Sequence, residues 1–292
     1  MSTATSNLES RLSYETQGLV HLPGVLEPAF LARVKGAFDR AAAKHAQSWL
    51  ASGDAATASF DIPSILDEDD VFVELAELPA LFPLMLEILG SDIQLMVVAA
   101  RLFRPSKTFV PPWHSDLDTV QGVDPGSSPS FMSKIHFYPE DLTPEQGCLA
   151  FISGSHRYPV GHPRPRLDYE QDNGLIKKIV PKAGDAVLFN PNIFHMCMDN
   201  RSPYVRKSLI YTYGHFWMKN YPSAVPRDLD RLATTPQRKQ LFGISHRPSE
   251  DHFGQCLPDH GIKEEVDGLL KSGRKLLSKV KDTYFDKNPG KD

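Results

Sequence analysis

The feature of this sequence that most limits its fold is a series of short β-rich runs that begins near residue 93. The runs are bounded by Pro, Gly, Asn and Asp, and no helical periodicity separates them. They are Leu95–Phe103, Phe131–Phe137, Leu149–Ile152, Leu175–Val180, Ala186–Phe189 and Ser208–Tyr213. Strands at this spacing are typical of antiparallel sandwiches and barrels. The 24 prolines among 292 residues favour the same arrangement of many short elements joined by turns.

The residues before this series predict a mainly helical part, about residues 15–90. The run from Gly18 to Leu26 predicts a strand closed by a Pro-Gly turn. A helix is predicted to follow from Pro28, because proline suits the first turn of a helix. Residues 51–70 are polar and small and predict a loop. A second helix is predicted over Ala80–Leu89, with Gly90 as its C-terminal stop.

The strand series predicts a core over about residues 93–217, followed by an irregular and helical C-terminal extension over about 221–285. A helix is predicted in this extension over Ile262–Tyr284. Its basic side is interpreted as the solvated face of a docking helix or, alternatively, as a membrane-surface helix. The whole chain, residues 1–292, is predicted to form one domain that is mainly β with flanking helices.

Charge and composition exclude several classes of protein. The formal net charge is −4, so the chain lacks the basic field of a general nucleic-acid or anionic-membrane binder. Three scattered cysteines do not provide a disulfide framework or a zinc ribbon. No run of 18 apolar residues occurs, and the N-terminal residues lack the apolar region of a signal peptide. We therefore expect a cytoplasmic protein without nucleic-acid or membrane partners; the oligomeric state is left open.

A metal site is predicted from three residues. His114 and Asp116 are two positions apart, and side chains two apart on a strand point to the same face. This pair alone carries little information in a chain with eleven histidines. The third predicted ligand is His195, 79 residues after Asp116, which follows a turn, an apolar strand and a Pro-Asn break. Two imidazoles and one carboxylate on one face of an octahedral ion leave three positions open, as in non-haem Fe(II) oxygenases.

Two alternatives to this ligand set remain open. His195 is also interpretable as a core histidine that is satisfied by a backbone carbonyl. Asp118 is a rival to Asp116, but it is four residues from His114, and a strand would project it at a different level.

A cosubstrate site is predicted from Arg206, which lies eleven residues after His195 and opens a predicted strand. Ser208 shares its face of that strand. A guanidinium presents a planar fork to a carboxylate, and a hydroxyl two residues on can bond one of the same oxygens. This pair suits the distal carboxylate of a 2-oxo diacid whose keto-acid end chelates the metal. The alternative for Arg206 is an ordinary surface charge.

Together these residues resemble the phytanoyl-CoA dioxygenase family of Fe(II)/2-oxoglutarate oxygenases, over roughly residues 15–217. The resemblance rests on the metal and arginine residues, on the N-terminal strand, turn and helix, and on several local motifs. These motifs are Thr143-Pro144-Glu145-Gln146-Gly147-Cys148-Leu149, Ser153-Gly154-Ser155-His156-Arg157, the turn Gly184-Asp185 and Asn200-Arg201-Ser202. The resemblance implies a double-stranded β-helix, that is a cupin-like jelly-roll, with helices packed outside.

The resemblance also implies chemistry and residue roles. His114, Asp116 and His195 would bind Fe(II), and Arg206 would bind 2-oxoglutarate. With O₂ as the third reactant, 2-oxoglutarate is converted to succinate and CO₂ while a C–H bond of the substrate is oxidised, most commonly to an alcohol. Halogenation is disfavoured because related halogenases carry a small residue in place of Asp116. Desaturation, epimerisation, ring closure and peroxide formation use the same iron and remain alternatives.

The chain departs from the family pattern at His136, where a tryptophan near the cosubstrate is common. Two interpretations stay open: His136 hydrogen-bonds 2-oxoglutarate, or it is a buried polar residue without a catalytic role.

The substrate is predicted to be a small metabolite of apolar or mixed polarity, with secondary-metabolite tailoring as one setting. Its pocket is predicted to include Trp113, Leu117, Phe216 and Trp217. A non-redox cupin-like metal enzyme is the rival class, and it would not need Arg206 and Ser208. A metal-free scaffold on the same fold is the second rival, and it would be expected to have a broken ligand set.

Overall fold

The computed structural model describes residues 3–51, 59–106, 113–116, 131–158, 167–168, 170–171 and 174–244. The chain divides into two compact units, Met1–His246 and Arg247–Asp292, and all of the described residues belong to the first. Leu117, Asp118 and the predicted helix Ile262–Tyr284 lie outside the described residues. The assignment of residues 1–292 to one domain stays a prediction.

Most helices precede the main run of strands. They are α1 (Thr3–Gln17), α2 (Pro28–Lys44), α3 (Ala46–Ala51), α4 (Val71–Ala76) and α5 (Phe82–Leu89), and two short helices follow the last strand, α6 (Leu229–Leu232) and α7 (Pro236–Leu241). Helix α2 begins at the expected proline. Helix α5 ends at Gly90, whose φ of +85° is strained for any residue with a side chain.

The described residues form nine strands in two sheets. They are β1 (Leu19–Leu22), β2 (Ser59–Ile62), β3 (Ile93–Phe103), β4 (Met132–Phe137), β5 (Leu149–Ile152), β6 (Ile176–Ile179), β7 (Ala186–Phe189), β8 (His195–Cys197) and β9 (Arg206–His215). The larger sheet has the order β1-β7-β4-β9-β3-β2, and the smaller has the order β6-β5-β8. All of their pairings are antiparallel. This arrangement agrees with the predicted mainly β core.

The larger sheet separates two hydrophobic clusters. On one face, alternate residues such as Ile135, Leu188 and Tyr211 pack with α2, α4 and α5. On the other face, Val187 and Phe189 pack with Phe151 of the smaller sheet. Because side chains alternate along a strand, β1, β3 and β7 contribute residues to both clusters, whereas the side chains that β4 and β9 direct to the other face are mostly polar. We call these two sides the helix face and the inner face.

The strand predictions agree with the structure within a few residues, but two other predictions were wrong and one helix was not predicted. The predicted loop over residues 51–70 contains β2 and a 3₁₀ turn at Ile65–Asp67. The irregular segment after Tyr221 contains α6 and α7, whose buried residues Leu232 and Leu241 pack in the helix-face cluster. Helix α1, which ends one residue before Gly18, was not predicted, because its polar sequence has little amphipathic pattern. Among the described residues, no helix is both long and apolar enough to cross a bilayer.

Candidate active site

His114 and Asp116 are positioned by backbone contacts to the segment that carries His195. The amide of His114 donates to the carbonyl of His195 at 3.0 Å, and the amide of His195 donates back at 2.9 Å. The amide of Asp116 donates to the Pro191 carbonyl at 2.9 Å. His114 therefore lies in an isolated β-bridge rather than in the expected regular strand, and this bridge brings together residues that are far apart in sequence.

His195 is held on strand β8 between two aromatic rings. Its ring centroid is 4.9 Å from that of Phe189 and 6.0 Å from that of Phe151. Its Nδ1 lies 2.9 Å from the carbonyl oxygen of Ile193, which can only accept, so Nδ1 carries the proton and Nε2 presents a lone pair. The alternative interpretation of His195, a core histidine satisfied by a backbone carbonyl, is thus correct for Nδ1. The other nitrogen, Nε2, faces Asp116. Burial lowers the pKa of His195 to about 4, so its imidazole is neutral near pH 7.

The three side chains fit a shared metal ion. One potential ligand atom from each of His114, Asp116 and His195 lies within 4.8 Å of the others. Between Asp116 and the two histidines, Oδ1 lies 3.7 Å from His114 Nε2 and Oδ2 lies 3.8 Å from His195 Nε2. Ligand atoms about 2.1 Å from one ion and at right angles are about 3 Å apart. Small side-chain adjustments would therefore bring all three within bonding distance of one ion.

Asp116 also contacts a lysine. Lys134 on β4 donates to Asp116 Oδ2. Burial by itself would raise the pKa of the Asp116 carboxyl, but Lys134 and the two histidines outweigh it and lower the pKa to about 2. Asp116 is therefore ionised, as a metal ligand needs to be.

These residues line a cavity of about 160 Å³ between the sheets. Its lining includes three cationic side chains (Arg101, Lys134 and Arg206), two carboxylates (Asp61 and Asp116) and three imidazoles (His114, His136 and His195). Arg101 on β3 is paired with Asp61 on β2 through Nε and Nη2, each at 2.7 Å. The cavity thus has an excess of cationic groups over carboxylates before any metal binds, which favours an anionic ligand.

Arg206 is buried at the start of β9 and is only 1% exposed. Its Nη1 donates to the carbonyl of Gly147 and contacts Cys197 Sγ at 2.8 Å, and the guanidinium lies 5.0 Å from the centroid of the Phe103 ring. No carboxylate of the described residues forms an ion pair with it. Arg206 is therefore not the surface charge of the alternative interpretation, and its charge is left for a ligand to neutralise.

The inner face carries several buried polar atoms without a partner among the described residues. Arg206 Nε, Ser208 Oγ and Thr212 Oγ1 lie on alternate positions of β9, and His136 Nδ1 lies on the neighbouring strand β4. Buried polar atoms normally find partners. Burial and the nearby Lys134 and Arg206 cations lower the pKa of His136 well below its usual value, so this ring is neutral. The set fits a dicarboxylate bound between Arg206 and the candidate metal ligands.

Gly147 helps to shape this end of the cavity. Its φ is +67°, and an added Cβ would lie 2.4 Å from the Phe103 ring. A glycine at this position allows the backbone conformation in which the Gly147 carbonyl accepts a hydrogen bond from Arg206. This is the local role of the Gln-Gly-Cys segment.

The predicted substrate residues are less closely connected with the cavity. Trp113 is half-buried, packs beside the inner-face cluster and donates its Nε1 hydrogen to the Leu167 carbonyl. Trp217 is 60% exposed and stacks on His215 at 5.4 Å between centroids. Neither these residues nor Phe216 are among those that line the cavity. Leu117 lies outside the described residues, so the substrate-pocket assignments stay predictions.

Sequence reasoning did not single out several polar residues of the cavity, namely Lys134, Arg101, Asp61, Cys197 and Thr212. Lys134 had one usable signal, because it shares the face of β4 with His136, two positions away. Asp61 lies in the segment that was predicted to be a loop, so its pairing with Arg101 was not accessible from sequence.

The jelly-roll core and the residues around this cavity define the class of non-haem Fe(II)/2-oxoglutarate-dependent oxygenases. A family model described as "Phytanoyl-CoA dioxygenase (PhyH)" matches residues 14–208, and the chain belongs to this family. The predicted family, enzyme class and cofactors, Fe(II) and 2-oxoglutarate, are thereby confirmed.

Curated and solved relatives agree with this assignment. The chain is 22% identical over 272 residues to an L-proline trans-4-hydroxylase of Streptomyces griseoviridis, covering 80% of this chain and all of that protein. It is similar in structure to the epimerase SnoN in complex with Fe³⁺, alpha ketoglutarate and nogalamycin RO, with TM-score 0.54, 20% identity and coverage of 76% and 88%. It is also similar to the alpha ketoglutarate-dependent carbocyclase SnoK from nogalamycin biosynthesis, with TM-score 0.56, 19% identity and coverage of 80% and 92%. These structures confirm the predicted jelly-roll fold class.

Proposed function

We propose that this enzyme hydroxylates a C–H bond of a small carboxylate-bearing metabolite, and that His114, Asp116 and His195 hold its iron. The observation that carries the proposal is the buried Arg206 guanidinium, which lacks a carboxylate partner among the described residues and shares a cavity with the three candidate ligands. A non-redox metal enzyme on the same fold would have no use for this buried cation.

The chain's own residues have separate tasks in this reaction. Fe(II), when bound, supplies the redox centre at which 2-oxoglutarate and O₂ react. Asp116 provides the negative charge of the site, and neutral His195 is fixed in its tautomer by the Ile193 carbonyl. Arg206 and Ser208 bind the distal carboxylate of 2-oxoglutarate, and His136 hydrogen-bonds the same molecule. In the balanced reaction, substrate, 2-oxoglutarate and O₂ give hydroxylated substrate, succinate and CO₂.

The class of substrate is inferred from charge. The two carboxylates of 2-oxoglutarate do not exhaust the cavity's cations once a dication is also present, because Arg101 and Lys134 remain beside Arg206. A carboxylate on the substrate would be attracted to such a cavity. The resemblance to an L-proline trans-4-hydroxylase supports amino acids as the first compounds to try.

The test is succinate release from 2-oxoglutarate with Fe(II) and a panel of amino acids and other small acids, followed by mass analysis of the products. A mass gain of one oxygen atom supports hydroxylation, and an unchanged mass or a loss of two hydrogens would contradict it. We expect His114→Ala, Asp116→Ala and His195→Ala each to abolish succinate release. His45→Ala is the matched control, since His45 pairs with Glu68 away from the cavity and should retain full activity. Turnover retained in all three ligand variants would refute the site.

A further inference from the structure

Lys134 is a half-buried cation to which the proposed reaction assigns only a general contribution to the charge of the cavity. It lies on the inner face of β4, its side chain is only 18% exposed, and its Nζ lies 5.8 Å from the centroid of the Phe189 ring. Among the described residues, its only ion-pair partner is Asp116. A strand lysine in this environment loses hydration and rotational freedom, so its contact with Asp116 needs an explanation beyond surface charge.

The contact divides the two oxygens of the Asp116 carboxylate. Lys134 binds Oδ2, which lies 3.8 Å from His195 Nε2, and leaves Oδ1, which lies 3.7 Å from His114 Nε2, without an ammonium partner. A carboxylate can bind a metal through one oxygen or through both. With one oxygen engaged by an ammonium group, only single-oxygen binding remains favourable. Single-oxygen binding leaves three positions of an octahedral ion open, which is the number that 2-oxoglutarate and O₂ together require.

We propose that Lys134 is a positioning residue of the iron centre, which holds one oxygen of Asp116 so that the carboxylate offers the metal a single oxygen. This inference rests on the proposed function, because it takes Asp116 as a ligand. In the metal-free enzyme, the same contact orients the Asp116 carboxylate.

This arrangement has an electrostatic cost that makes it testable. An ammonium group on the far oxygen of a ligating carboxylate lies close to the dication and repels it. It also competes with the metal for Asp116. Lys134 should therefore weaken metal binding while it enforces the coordination geometry, whereas a residue that only supports the fold would strengthen metal binding.

The first measurement is the affinity for Mn(II) in the absence of 2-oxoglutarate. It is determined from the electron paramagnetic resonance signal of the Mn(II) that remains free. We expect Lys134→Met to bind Mn(II) about tenfold more tightly than the wild type, because the repulsion and the competition are removed. Lys134→Gln, which keeps a hydrogen-bond donor without the charge, should also bind more tightly and serves if the methionine variant does not fold. Lys134→Arg should resemble the wild type. Lys178→Met, on an exposed strand position, is the matched control.

The second measurement is the anaerobic charge-transfer absorption of Fe(II) with 2-oxoglutarate. We expect Lys134→Met to shift or weaken this band, because a second carboxylate oxygen takes a position that 2-oxoglutarate needs, and Lys134→Arg to restore it.

Unchanged or weaker Mn(II) binding in both neutral variants would overturn the proposal, as would an unaltered band in Lys134→Met. These outcomes are distinguishable from failure of the proposed function. In that case wild-type protein would not bind Mn(II), or His195→Ala would bind it as well as the wild type does.

Discussion

The two faces of the larger sheet treat buried polar groups in opposite ways. On the helix face of β9, Tyr211 donates its hydroxyl to the Phe72 carbonyl and Tyr213 donates to the Ala76 carbonyl, each at 2.7 Å. On the inner face of the same strand, Arg206 Nε, Ser208 Oγ and Thr212 Oγ1 have no partner among the described residues. Ser133 on the helix face is an exception to this contrast.

Within the single strand β9, the polar groups of one face therefore stabilise the fold, and those of the other face are available to bind a ligand. A polar group that is satisfied by the protein stabilises the fold, whereas a group left unsatisfied costs free energy unless a ligand completes it. On the helix face, the tyrosine hydroxyls of β9 are therefore satisfied by the folded chain itself. On the inner face, the polar groups of β9 find their partners only when the enzyme binds a ligand.

The largest expected effect tests this contrast with two adjacent residues of β9. Arg206→Ala should weaken 2-oxoglutarate binding by about 3–5 kcal/mol through loss of a buried charge partner, which is roughly 100-fold to several thousand-fold. Lys207→Ala should leave this affinity unchanged, because Lys207 points to the other face and pairs with Asp39 and Glu140. Anaerobic titration of 2-oxoglutarate into the Fe(II) proteins measures both. Equal affinities in Arg206→Ala and the wild type would contradict the assignment of Arg206 as the residue that binds the distal carboxylate of 2-oxoglutarate.

A smaller effect is expected at Asp185, a buried carboxylate whose partners all belong to the protein. It accepts hydrogen bonds from the amides of Gly24 and Lys182 and contacts His21 Nε2 at 2.8 Å. Burial by itself would raise the pKa of Asp185, but these donors outweigh it and lower the pKa. We expect Asp185→Asn to lower the free energy of unfolding by about 1–3 kcal/mol at pH 7 without changing 2-oxoglutarate affinity.

The sign of the pH dependence at Asp185 follows from this direction. Because the carboxyl titrates lower in the folded than in the unfolded state, where its pKa is about 3.9, its stabilisation is present above about pH 4 and is lost as the pH falls further. Urea unfolding at pH 7 and at pH 4 or below should therefore show a shrinking difference between wild type and Asp185→Asn. A difference that grows on acidification would contradict this account.

The smallest expected effect is at Tyr211. Tyr211→Phe removes one buried hydroxyl and leaves the Phe72 carbonyl without its donor, so the free energy of unfolding should fall by about 1 kcal/mol. Affinity for 2-oxoglutarate should be unchanged, since the hydroxyl lies on the helix face. Chemical denaturation and the anaerobic titration together check this pair of results; a loss of cosubstrate affinity would show that the two faces are not independent.

Much of the β core was predictable because its short apolar runs and turn residues are local signals. Strands β5 and β7 begin and end at the predicted residues. Strand β8 was not predicted, because it has three residues and owes its pairing to β5 and to the bridge with His114. Helix α1 and strand β2 likewise depend on packing against elements that are distant in sequence.

The site shows the same division between local and long-range information. His114, Asp116, His195 and Arg206 were predicted from their spacing in the sequence, and the structure brings all four to one cavity, although His114 lies in an isolated β-bridge and not in a regular strand. Lys134 and the pair Asp61–Arg101 are different, because a charged residue in a strand is ordinarily a solvent-facing residue. Only the stacking of the sheets places them against the candidate ligands.

Because Arg206 is expected to bind 2-oxoglutarate, the stability of the folded enzyme should depend on the concentration of this cosubstrate. A ligand that binds only the native state stabilises it by about 2.7 kcal/mol when present at a hundred times its dissociation constant. Dicarboxylates that neutralise this buried guanidinium should thus protect the enzyme against heat and proteolysis, so that a cell rich in 2-oxoglutarate would retain more of it than a starved one.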